Sequence, residues 1–201
     1  MEAIEEIWNQ VDDITDLPDD RRAFEIEALD RKIQSSIDRN NQSHPLLYLR
    51  AYLLANHPDA RQNEDLSRTI IAAFEEAIGC GQNVGLSRLF LAHHLYDIGQ
   101  VQRASLLLNR RELPVPEDPN LALKQEELVV CCLLRLGNFR LAIEKLRKYV
   151  SLCESLPKEF VFPTILSSLM KHFSSPLGVD VKKELKPLLS RLSELSEFPP
   201  L

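Results

Sequence analysis

LYDIGQVQRASLLL (residues 95–108) and LLRLGNFRLAIEKL (residues 133–146) are the two stretches whose reading decides the fold. Aligned on Gly99 and Gly137, both place a large apolar residue four positions before the glycine (Leu95, Leu133) and another two after it (Val101, Phe139). Both then place Ala five after (Ala104, Ala142) and Leu nine after (Leu108, Leu146). Apolar residues at three- and four-residue spacing predict helices. A single Gly between two such runs predicts a helix end in the left-handed conformation, which residues bearing a Cβ adopt only at a cost. Each stretch therefore reads as two helices with a reversal between them.

The same pattern extends in both directions. Residues 84–98 (VGLSRLFLAHHLYDI) and 119–136 (PNLALKQEELVVCCLLRL) supply the helices before the two glycines, and QVQRASLLLNRR and NFRLAIEKLRKYVSL those after them. Upstream, PLLYLRAYLLAN (45–56) begins with Pro, a favoured first helical position, and stops before His57-Pro58. EDLSRTIIAAFEEAIG (64–79) ends among Gly79 and Gly81. Ile4, Ile7, Trp8, Val11 and Ile14 predict an amphipathic helix over 2–15. Asp16-Leu17-Pro18 breaks it, and Asp19 is the expected N-cap of a second helix striped by Ile26, Leu29, Ile33 and Ile37. Asn40-Asn41-Gln42-Ser43 is a polar loop. Downstream, 158–173 is a helical segment containing Pro163, tolerable only near its start. The stretch 179–197 carries Leu185, Leu188, Leu189, Leu192 and Leu195, with Pro187 expected to kink or interrupt it. No stretch alternates as a strand would. The expectation is an all-α chain of about ten helices in antiparallel hairpins, each turn short enough to make neighbours antiparallel. Residues 1–43 form an acidic helix pair capping one end, 44–156 the repeats and 157–201 a C-terminal cap, in one continuous domain.

Composition narrows the function. The 201 residues are 44% hydrophobic and 27% charged with only 6 Gly, a globular balance that suits helices. The start, MEAIEEIWNQVDD, lacks the basic and apolar regions of a secretory signal. No stretch reaches about 18 uncharged apolar residues, so no membrane span is expected and the cytoplasm is the expected compartment. Cys80, Cys131, Cys132 and Cys153 form no C-x-x-C pair and read as buried, reduced thiols. The net charge is −6, and the first 40 residues hold 12 Asp and Glu against 5 Lys and Arg, with 18 against 19 in the rest. That balance gives no footprint for nucleic acid, whereas an acidic N-terminal segment suits a basic protein surface.

The two glycine-centred units resemble the tetratricopeptide repeat, and Ala73 to Ala104 also resembles the related Sel1-like repeats. In that register Ala92 takes the small position of a first helix and Pro116 the closing proline. The second unit departs: Val130 stands at the small position, Tyr149 replaces an alanine, and the spacing from Gly99 to Gly137 is 38 rather than about 34. A weaker third unit runs through Leu47, Ala51 and Leu54 to Ala73 and Ala77. The resemblance covers roughly residues 45–155 and implies a short solenoid whose first helices line a partner-binding surface. The residues it would place there are Tyr48 and Tyr52; Leu89, His93, Tyr96 and Asp97; and Lys124, Glu127, Cys131 and Arg135. Tyr48, Tyr52 and Tyr96 serve equally well as core residues. Of the Lys, Arg and Asn clamp used by such repeats on peptide carboxylates, only Lys124 and Arg135 have candidates.

Catalytic readings find little footing. His93 and His94 leave a helix about 100° apart, and His93 with Asp97 at i, i+4 has no third metal ligand in reach. No nucleophile elbow, zinc motif, phosphate loop or dinucleotide fingerprint is present. The expectation is a non-catalytic protein with no cofactor and no metal, which binds and blocks or escorts a partner protein. A small bacterial immunity protein or a dedicated chaperone is the favoured form. The alternative is a self-associating scaffold using the leucine stripe from Leu185 to Leu195, hence a homo-oligomer. RNA binding by a helical array stands third.

Overall fold

The computed structural model describes residues 2–39, 44–81, 83–109, 118–158, 161, 163, 166 and 179–196. Among them there are nine helices and no strand: α1 (Glu2–Thr15), α2 (Asp19–Arg39), α3 (His44–Ala55), α4 (Glu64–Gly79), α5 (Val84–Asp97), α6 (Val101–Leu108), α7 (Pro119–Arg135), α8 (Phe139–Glu154) and α9 (Val179–Leu195). The chain is all-α, its helices packed in sequence-adjacent pairs. It divides into two compact units, residues 1–100 and 101–201.

Helix ends follow local chemistry. Asn63 caps α4, its side-chain oxygen accepting from the backbone N–H groups of Asp65 and Leu66 at 3.0 and 3.1 Å. Asp118 caps α7 by accepting from the Asn120 N–H at 2.8 Å, ahead of Pro119 at the first helical position. The two glycines do what their alignment implies, with φ of +83° at Gly99 and +75° at Gly137. Gly99 N–H donates to Tyr96 O (3.1 Å) and Gln100 N–H to Leu95 O (2.7 Å). Gly137 N–H donates to Leu134 O (3.1 Å) and Asn138 N–H to Leu133 O (2.9 Å). Both are the same two-bond closure around a left-handed residue, and both satisfy carbonyls the helix would otherwise leave orphaned.

One sequence expectation is corrected and another is narrowed. Asp19 is not the N-cap of α2: it is the first helical residue, and the Pro18 carbonyl accepts the first bond, from Arg22 N–H at 2.8 Å. The Asp19 carboxylate instead pairs with the Arg22 side chain one turn on. Of the two outcomes expected at Pro187, a kink or an interruption, the interruption does not occur, because α9 runs through it. Pro187 and Lys183, whose carbonyl loses its partner, both lie on the exposed side, where water can serve the freed carbonyl. The expected segment 158–173 lies mostly outside the described residues; Val161, Pro163 and Leu166 are buried, and Leu166 is helical.

In the first unit α3 is the central element. It touches α1, α2, α4 and α5, and its pairing with α4 is the most extensive. Leu46, Leu47, Tyr48, Leu49, Ala51, Leu53 and Leu54 are all buried, so α3 is covered nearly all round. Its one charged side chain, Arg50, is taken up by Asp30 of α2 at 2.7 Å. Val11, Ile26, Ile33, Ile70, Phe74, Leu91 and Leu95 complete this core. In the second unit α7 pairs with α8, which also carries α9, and α6 packs on α7. Leu128, Leu134, Leu146 and Tyr149 fill its centre.

Candidate partner-binding surface

The first unit gathers four aromatic residues from three helices. Trp8 of α1 sits 5.8 Å from Tyr48 and 6.2 Å from Tyr52, measured between ring centroids. Phe90 of α5 meets Tyr52 edge-on at 4.9 Å and Tyr48 at 6.4 Å. Tyr48 and Tyr52 fall one helical turn apart on α3, so both rings rise from one face and stack at 6.2 Å. Tyr48 is buried at the bottom of the cluster, whereas Trp8, Tyr52 and Phe90 are each half-buried. Burial raises the pKa of both tyrosine hydroxyls, and Tyr52 is raised further by the carboxylate of Asp12 on α1, against an opposing hydrogen bond from Asn56.

The other sequence-selected residues of this unit divide by exposure. Leu89 and Tyr96 are buried in the core. His93 is half-buried. Asp97 is exposed and accepts an ion pair from Arg61 at 2.8 Å. Beneath them lies a pair the sequence reading did not single out: Ser67 Oγ of α4 and His94 Nε2 of α5 share a hydrogen bond at 2.8 Å, both side chains buried. Burial lowers the pKa of His94, Ser67 opposes that shift and the Arg61 charge adds to it. A signal existed, because Ser67 stands on the stripe of Ile70, Phe74 and Ala77, and a lone polar residue on an apolar stripe requires a partner.

In the second unit Glu127 is fully buried. Its carboxylate accepts from Lys124 Nζ at 3.2 Å and from the Leu166 backbone N–H at 2.9 Å. A side chain expected to face a partner thus holds a backbone amide of its own chain, 39 residues away. Tyr149 and Cys153 lie beside it, the Tyr149 hydroxyl raised in pKa first by burial and then by the Glu127 charge. Cys131 is buried as well, Lys124 is half-buried and Arg135 is exposed. The leucine stripe of α9 is partly consumed within the unit, with Leu185 and Leu192 buried and Leu188, Leu189 and Leu195 half-buried.

Among the described residues, no group of three or more His, Cys, Asp or Glu side chains could hold a metal ion, and no helix is long and apolar enough to cross a membrane. No family model matches the chain, and no curated protein matches its sequence.

Proposed function

We propose that the chain is a non-catalytic protein-binding module of tetratricopeptide-like hairpins that blocks or escorts one partner protein in the cytoplasm. The observation that supports it most is the cluster of Trp8, Tyr52 and Phe90, half-open to solvent over the buried ring of Tyr48. Large, stiff aromatic rings with a polar rim are the usual anchors of protein interfaces, because they bring area at little cost in side-chain freedom. His93 and Asp97 of α5 remain candidates for polar contacts around such anchors, and in the other unit Arg135 of α7 is an exposed candidate contact of its own. The acidic first 40 residues favour a partner with a basic surface, as an immunity protein covering a toxin or a dedicated chaperone would meet.

The test is affinity capture from cells that naturally make the protein, followed by the native mass of the recovered complex. A stoichiometric partner retained by the wild type and lost with Tyr52→Ala or Phe90→Ala, at unchanged helicity, supports the reading. Recovery of the bait alone, as a dimer or larger, replaces it with the self-associating scaffold.

A further inference from the structure

We propose that α1 is a replaceable occupant of the aromatic face on α3 and α5, and that the partner takes its place with an amphipathic helix bearing an aromatic anchor where α1 bears Trp8. This rests on the protein-binding reading and names the partner element that reading leaves open.

Three observations carry it. The first is that the rings of the face meet one another without help from α1. Tyr48, Tyr52 and Phe90 contact one another directly, and α3 and α5 are placed by core residues of their own, Leu49, Leu53, Leu91 and Leu95. The second is that α1 is the lightly held element of its unit. It meets α2 and α3 more sparsely than α3 meets α4 or α2 meets α3. Val11 and Ile14 are buried, but Ile4, Ile7 and Trp8, the N-terminal part of the same stripe, are only half-buried. At 14 residues α1 is near the length at which a lone helix is marginal in water, so its folding depends on this docking. The third is the joint. Only Asp16, Leu17 and Pro18 separate α1 from α2, so α1 can leave without unwinding its neighbour, because the Pro18 carbonyl already opens α2.

The occupant specifies the ligand. It is an amphipathic helix with an aromatic residue at one position and large aliphatic residues four and one before it and three and six after it, as Ile4, Ile7, Val11 and Ile14 stand around Trp8. Helix-in-groove recognition uses this i, i+3, i+4, i+7 spacing of anchors. Tethering α1 through a short joint gives it an effective concentration on the order of millimolar, so a free helix of equal affinity competes poorly until α1 is weakened or outmatched.

The experiment uses the full chain and, as probe, a fluorescein-labelled peptide with the sequence of residues 2–15. Anisotropy titrations compare the wild type with W8A and with W8A/Y52A, with far-UV circular dichroism confirming that helicity is kept. The expected result is binding to W8A at least tenfold tighter than to the wild type, and loss of at least tenfold when Y52A is added. Equal affinity for the wild type and W8A, or no saturable binding to W8A, overturns the exchange. A second measurement needs no altered chain. Trp8 is the one tryptophan present, so excess W8F peptide that displaces α1 must increase acrylamide quenching of the wild-type protein. Unchanged quenching at millimolar peptide also overturns it. Either failure removes the exchange whatever cellular capture gives, and capture alone decides the protein-binding reading.

Discussion

Ser67 and His94 are polar side chains placed where the packing is otherwise apolar, and each satisfies the other at 2.8 Å. Removing one partner strands a buried polar atom. Ser67→Ala should therefore cost about 1–3 kcal/mol in a urea titration, and Ser67→Ala combined with His94→Leu should recover much of that loss. His94 also sets a pH dependence. Its pKa is lowered in the folded chain, mainly by burial, so the unfolded chain binds the extra proton first. The contribution is complete above the unfolded value of about 6.5 and is lost as pH falls below it until the folded value is passed, so wild-type stability should fall over that range more than that of His94→Leu. Gly137 is a backbone case: at φ +75° with nothing within 4 Å of an added Cβ, Gly137→Ala should cost about 1–2 kcal/mol in chemical denaturation for conformation alone. Gly137 and Gly99 were legible in sequence because the left-handed turn is a local demand. Ser67 was legible in principle, from its place on the stripe. Which side chain would answer it was not, because His94 is 27 residues away and reaches it only through the pairing of α4 with α5.

Helices were easier to read than their ends or their contacts. The bounds of α1 and α4 follow from apolar periodicity ended by Asp16-Leu17-Pro18 at one and by Asn63 and the glycines at the other. Asp19 was misread because its carboxylate found Arg22 instead of a backbone N–H, a choice between two partners that spacing leaves open. Whether Pro187 would interrupt its helix was open in sequence, because the cost of a helix-interior proline depends on whether the freed carbonyl faces core or water, and periodicity does not say. Its remaining cost gives an element-scale prediction. Pro187→Ala restores a donor to the Lys183 carbonyl on an exposed helix and should stabilise the protein by about 1–3 kcal/mol, raising its thermal midpoint. The candidate surface was half legible. Tyr48 and Tyr52 were selected on the resemblance, but Trp8 entered only as part of a stripe and Phe90 not at all, since both join the cluster through pairings between helices distant in sequence. Glu127 has the same explanation, its backbone partner lying beyond the end of the next helix.

At the scale of the molecule the cysteines separate sharply. Against the expectation of four buried thiols, Cys80 is exposed because it caps the C-terminal end of α4, while Cys131, Cys132 and Cys153 are buried. Burial pushes the Cys132 thiol up to about 12, against the opposing charge of Arg135, and Cys153 up to about 11. Thiolate is the reactive form, so at pH 8 a thiol reagent should consume one of the four cysteines quickly in the native protein and all four in denaturant. Rapid reaction of two or more in the native state would contradict the packing of α7 against α8. The same partition has a practical outcome. The lone tryptophan lies in residues 1–100 and all three shielded thiols in residues 101–201, so each unit carries its own native reporter. One denaturant series, read by indole emission and by thiol protection, then gives each half its own melting curve. Coincident midpoints mean one cooperative body, and separated midpoints mean two halves that can be cut apart and expressed alone.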